Sequence, residues 1–177
     1  MNPLEYVLKP LKASKAERAK ALQFIHQNPN YTPTLFELAT NPNATRIRIY
    51  AAWVWELYIL EEPQRLEPYW SMLIERISKI NHSSMRRVHS KIIWWHLKYY
   101  SSHKALTKRE KKMLVTTLLD WILTENKAAP LNFSIRTLGL FSRDSPKLKR
   151  DLKDILIESK RVFPKGVYPA IRMVFQD

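Results

Sequence analysis

The sequence predicts an all-α fold, and three observations carry that prediction. Only two glycines, Gly139 and Gly166, occur in 177 residues; tight hairpins and phosphate-cradling loops need residues that tolerate positive φ, so β-rich folds and nucleotide loops are disfavoured. Apolar residues recur at three- and four-residue steps along most of the chain. Prolines and capping residues separate these segments at positions suited to helix starts. A composition of 45% hydrophobic and 26% charged residues fits a globular protein with a sizeable core, and residues 1–177 are read as a single domain.

The elements follow in order. Ser14 and Glu17 form a capping box, in which each side chain satisfies an otherwise unpaired amide, and predict a helix over 15–27. Thr32 and Pro33 read as a cap followed by proline at the first helical position, where its missing N–H costs nothing. Asn43, Pro63, Ser83 or Ser84, Thr107 with Glu110, Pro130, Ser145 with Pro146, and Val167 open further helices in the same way. The total is about nine helices and no strand.

These helices fall into pairs that repeat. Arg48-Ile49-Tyr50-Ala51-Ala52, Arg86-Arg87-Val88-His89-Ser90 and Asn132-Phe133-Ser134-Ile135-Arg136 each place a basic or amide residue ahead of small and bulky apolar ones. Taking Arg48, Arg86 and Asn132 as equivalent gives spacings of 38 and 46 residues, periods typical of two-helix solenoid repeats. The pattern resembles the HEAT family of α-solenoids, with Asn41-Pro42-Asn43, Arg48 and Ala51-Ala52 as its best match. From Ser14 onward the layout is also similar to short bacterial HEAT-like proteins that often carry the label adenylosuccinate lyase. The resemblance implies an α-α superhelix of stacked hairpins with a capping helix at each end.

Charge is concentrated in one stretch. Residues 76–112 hold 11 Lys/Arg against Glu110 alone and supply most of the formal charge of +14. Trp94, Trp95, Tyr99 and Tyr100 are threaded through them, which directs attention to a polyanionic partner. In a helix over 84–100, Met85, Val88, Ile92, Trp95 and Tyr99 form the expected buried stripe, leaving Arg87, Lys91, Trp94 and Lys98 on the opposite face. On the preceding second helix, over 43–60, Arg48, Ala52, Trp55 and Ile59 share a line with Glu56 beside it. Asn132, Arg136, Gly139 and Arg143 align likewise. If second helices line a concave wall, Arg48, Trp55, Arg87, Lys91, Trp94, Lys98, Arg136 and Arg143 make a basic groove. The alternative is that the cations solvate an exposed face and the tryptophans belong to the core.

Two partner classes follow from such a groove. The first is a protein or peptide, an acidic one included, held by a non-enzymatic scaffold. The second is DNA or RNA, with phosphates held by charge and bases stacked on the indoles. HEAT-like alkylpurine DNA glycosylases use a comparable groove with a catalytic aspartate, but no aspartate lies on these rows and Glu56 is the only acid near an indole. The lyase label implies a Ser-Ser-x-Met-Pro-x-Lys-x-Asn loop. Ser83-Ser84-Met85 lacks the intervening residue, Arg86 stands where proline should follow, Lys91 is displaced and the asparagine is missing.

No catalytic, cofactor or metal site is expected. Gly-x-Ser-x-Gly, His-Glu-x-x-His and Walker patterns do not occur. His82, His89, His96 and His103 recur every seven residues, which separates neighbours by about 10 Å along a helix axis, too far to share one ion. His89 and His96 adjoin the apolar stripe and read as inter-helix hydrogen-bonding groups. With no cysteine, no basic start followed by an apolar run, and a longest apolar stretch of only Ile49 to Trp55, the expected location is cytoplasmic.

Overall fold

The computed structural model describes residues 3–10, 14–100 and 106–176. Ten α-helices run through it, extended by 3-10 and π turns, with no strand among the described residues. No helix among them is long and apolar enough to cross a membrane. The chain divides into two compact units, residues 1–92 and 93–177.

In the first unit, α1 (Pro3–Leu8) buries Leu4 and Leu8, although no capping pair announces it. Helix α2 (Lys15–Gln27) has the predicted bounds: Ser14 Oγ accepts from the Glu17 amide at 3.2 Å. At its other end Asn28 Nδ2 donates to the Phe24 carbonyl at 2.9 Å, satisfying one of the terminal carbonyls. Helix α3 (Thr32–Ala39) follows a 3-10 turn over Pro29–Tyr31, so Thr32 is already helical rather than a cap. Helix α4 (Arg46–Glu61) starts three residues after Asn43. The delay has a local cause: the Asn41 side chain accepts from the Asn43 amide at 3.1 Å and holds a turn there.

Helix α4 is the centre of this unit, with α1, α2 and α3 packed against it. Ala51 and Ala52 are fully buried, and side chains this small suit a helix with neighbours packed closely around it. Burying each large aliphatic residue such as Val54 or Ile59 contributes about 1.5–3 kcal/mol. Pro63 opens a 3-10 stretch over Pro63–Tyr69 before α5 (Trp70–Ile77) begins. Pro68 explains the postponement, because it lacks an amide for the ladder and disfavours α geometry at Glu67. Helix α6 (Ser83–Trp95) then starts, with its first residues in this unit.

The second unit begins at Ile93. Beyond Trp95 the helix widens into a π turn over His96–Tyr100. A π turn holds more residues than an α turn, so the faces rotate out of the phase that three- and four-residue steps predict. Tyr99 is consequently 56% exposed, the reverse of the sequence expectation; Trp94, expected on the exposed face, precedes the π turn and is only 7% exposed because α6 is buried on more than one face. Helix α7 (Lys108–Thr124) carries the full capping box: the Glu110 amide donates to Thr107 Oγ1 at 3.2 Å, and the Thr107 amide donates to Glu110 Oε2 at 3.0 Å.

Helix α8 (Ala128–Ser142) starts two residues before Pro130. Its entry is fixed by Glu125, whose Oε1 accepts from the Asn126 and Lys127 amides at 2.8 and 2.9 Å. Helix α9 (Pro146–Lys153) is capped by Ser145 as predicted, runs into a π turn over Asp154–Glu158, and is followed by α10 (Tyr168–Phe175). Arg161 closes the C-terminal end of α7 by donating to the Ile122, Leu123 and Glu125 carbonyls. Helices α7, α9 and α10 all pack on α8. The tightest approach is at Gly139, where a Cβ atom would stand 2.7 Å from Val174 Cγ2 on α10.

Candidate functional site

The predicted binding residues fall into two groups, one in each compact unit. In the first, α4 and α6 are joined through Glu56, a carboxylate 3% exposed. Arg87 grips it with both arms, Nη1 to Oε1 at 2.9 Å and Nη2 to Oε2 at 2.7 Å, and Lys91 Nζ adds a third contact at 3.0 Å. A bidentate fork matches carboxylate geometry and is the strong form of such a pair. Arg87 and Lys91 are therefore half-buried and committed to an internal acid, rather than standing free on an exposed face.

Arg48 and Arg86 play matching parts. Arg48 Nη1 donates to the Asn43 carbonyl at 3.0 Å, and Arg86 Nε donates to the Ile80 carbonyl at 2.9 Å. Each guanidinium thus ties down the loop that feeds its own helix. The third presumed equivalent differs: Asn132 Nδ2 donates forward to the Gly166 carbonyl at 2.8 Å.

Trp55 does not reach a surface. It is fully buried, with ring centroids of Phe36, Tyr69 and Tyr58 at 5.4, 5.2 and 5.9 Å. Helix α4 is buried on most of its circumference, so the line shared by Arg48 and Trp55 enters the core after its first turn. Burial also raises the Tyr69 hydroxyl above its usual pKa, with the neighbouring Tyr58 adding to the effect.

The second group centres on Trp94. Its ring lies among Trp95, Tyr99 and Phe133, with centroids 5.7–5.8 Å away. Lys98 Nζ sits 5.0 Å from the ring centroid and Arg136 Cζ 5.5 Å from it. Two cations over an indole are attracted by its quadrupole, so the tryptophan already has the partners a ligand would supply. Arg136 is further held by Asn132 Oδ1 at 2.7 Å and Met173 Sδ at 3.3 Å. Arg143 is exposed at the end of α8, beside a cleft of about 320 Å³ lined by Gly139, Lys149, Met173 and Gln176. No carboxylate among the described residues pairs with Arg48, Lys98, Arg136 or Arg143.

The histidines have separate surroundings. His82 Nδ1 accepts from the Ser84 amide at 3.2 Å, at the start of α6. His89 is fully buried, and its Nε2 lies 2.9 Å from the Ala39 carbonyl while Nδ1 has no partner. Burial pushes its pKa down to about 4; the Ala39 hydrogen bond and Glu56 act weakly in the other direction. His96 is buried with its ring 5.1 Å from that of Tyr100. His103 lies outside the described residues. Among those described, no three His, Asp or Glu side chains converge as metal ligands.

Sequence reasoning noticed Glu56 but missed its role. Its partners sit 31 and 35 residues away on another helix, beyond the reach of local periodicity. No protein-family model, curated protein or solved structure matches the chain.

Proposed function

We propose that this protein is a non-enzymatic binding scaffold, a HEAT-like stack of helical hairpins that engages an acidic protein or peptide partner. The observation that carries the reading is the linkage between like helices of successive hairpins. First helices are joined where Arg76 of α5 donates to Glu37 and Thr40 beside α3, at 2.7 and 3.2 Å. Second helices are joined where Arg87 and Lys91 of α6 grip Glu56 of α4. First-to-first and second-to-second contact is how solenoid repeats bury their faces. Of the cations predicted to bind, those left without an acid are Arg48 in one unit and Lys98, Arg136 and Arg143 in the other, and each unit by itself thus offers charge to an acidic partner.

A second reading, single-stranded nucleic-acid binding, draws on one feature. Tyr99 and Tyr100 are 56% and 43% exposed beside exposed Lys98, an arrangement able to stack bases next to phosphate contacts. Both readings are tested by fluorescence anisotropy with a labelled Glu-rich peptide and a labelled single-stranded oligonucleotide across a salt series. The scaffold reading expects saturable peptide binding that weakens with salt and falls when Arg48, Lys98 and Arg143 are changed to Ala. Tighter oligonucleotide binding that collapses in Tyr99→Ala, Tyr100→Ala protein replaces it with the second reading. No peptide binding at low salt overturns it.

A further inference from the structure

We infer that the groove between α7 and α9 is a docking site for an amphipathic acidic helix, apolar along one face and carboxylate-flanked. The inference rests on the scaffold reading, states the kind of partner, and assigns it a contact surface apart from Arg48, Lys98, Arg136 and Arg143. Along α7, Lys108, Lys111, Lys112, Val115 and Leu119 follow one another at helical spacing on a single face, and Leu148 of α9 completes the floor. The groove measures about 400 Å³, within the range of ligand clefts.

Three observations specify the occupant. First, the floor is aliphatic: Val115 and Leu119 remain half-buried and Leu148 is 6% exposed. Apolar side chains from a partner would complete their burial, whereas nucleotide bases would find no ring lining the groove. Second, the charge is one-sided. No carboxylate among the described residues pairs with Lys108, Lys111 or Lys112, and the one acid lining the groove, Asp151, is already bound by Lys147 at 2.7 Å.

Third, these lysines stand where their own helix disfavours them. The N-terminal end of α7 carries partial positive charge from its aligned peptide dipoles, yet Lys108, Arg109, Lys111 and Lys112 crowd its first turns, with only Glu110 opposing them. Carboxylates from a partner would relieve this repulsion while their helix lays Leu-type side chains over Val115, Leu119 and Leu148. The spacing of anchors at successive turns is that of helix-in-groove recognition.

The test uses the full chain and a labelled peptide bearing leucines at three- and four-residue steps with glutamates alongside. A second peptide keeps the glutamates and replaces the leucines by serine. Wild-type protein is expected to bind the first peptide at least about tenfold more tightly than the second. Lys108→Glu, Lys112→Glu protein is expected to lose about tenfold or more and to show a weaker salt dependence. Methyl resonances of Val115, Leu119 and Leu148 are expected to shift on binding. Leu119→Ser supplies a floor variant, with circular dichroism checking its fold; the lysine variants are surface changes that do not depend on that check.

Equal affinity for the two peptides, or unchanged binding by the lysine variants, overturns the inference. If binding survives in the groove variants but falls with Lys98→Ala and Arg143→Ala, the groove is wrong and the scaffold reading stands. Absence of peptide binding by every form at low salt removes both. An oligonucleotide that competes through the same lysines with higher affinity also overturns the inference.

Discussion

Acidification tests the buried ring of His89 directly. In the folded protein the pKa of this group is pushed down to about 4, while the unfolded chain restores the ordinary value of 6.5. Above pH 6.5 the ring is neutral in both states, and titration contributes nothing to their difference. Below it the unfolded chain takes up a proton that the folded ring refuses, so stability falls progressively from about pH 6.5 toward pH 4. Between about pH 7.5 and pH 5 the loss from this residue is about 2 kcal/mol, because the unfolded form is then mostly protonated and the folded form mostly is not. The geometry supports the direction: Nε2 is occupied with the Ala39 carbonyl, and a second proton on Nδ1 would find no acceptor.

The comparison needed is His89→Gln, which keeps an N–H for Ala39 but has no titration. Urea unfolding of both proteins at the two pH values gives four free energies. At the higher pH the variant is expected to be less stable by about 1–2 kcal/mol, for imperfect replacement of a buried ring. On acidification the wild type is expected to lose about 2 kcal/mol more than the variant. Residues other than His89 are the same in both proteins and cancel from this difference. Parallel losses in the two proteins would refute the assignment, and a His89 ring that titrates in the folded state near its ordinary pKa by NMR would do so independently.

Three further outcomes follow from the packing. Glu56→Gln leaves Arg87 and Lys91 half-buried without their counter-charge and is expected to lower stability by about 2 kcal/mol in urea unfolding, below the range for fully buried pairs because both cations retain some water. Gly139→Ala adds a methyl group 2.7 Å from Val174 Cγ2; overpacking of about 1–3 kcal/mol outweighs about 1 kcal/mol of helix propensity, and Val174→Ala in the same chain should recover most of the loss in a double-mutant cycle. Lys160 has φ of 56°, so Lys160→Gly is expected to raise stability by about 0.5–1 kcal/mol, read as a higher urea midpoint with an unchanged slope.

Much of the helical layout was legible because its punctuation is local. Ser14, Thr107 and Ser145 act as caps through amides three residues away, a distance that sequence exposes directly. The placement of aromatic rings was less legible. Trp55 and Trp94 lie on helices buried on more than one face, where a choice between inner and outer stripe has no basis in periodicity. The change of phase at His96–Tyr100 has no capping residue or proline to announce it, and it reverses the expected surroundings of Tyr99. For the candidate site, the cationic content was plain, but its division between committed and free groups was not. That division depends on Glu56, a single acid whose partners come from another helix.

The widened turn at His96–Tyr100 makes the length of this stretch a structural variable in its own right. Deleting one residue there would let the backbone close into ordinary α-helical bonding without leaving a gap. The residues beyond the excision would keep their place around the axis, because a π turn spends one more residue on about the same sweep as an α turn. Tyr99 and Tyr100 would then keep their outward aim, whereas tightening the turn to α geometry at its present length would swing them about 100° around the axis. How the turn absorbs its surplus residue thus sets which rings this end of the helix offers to solvent.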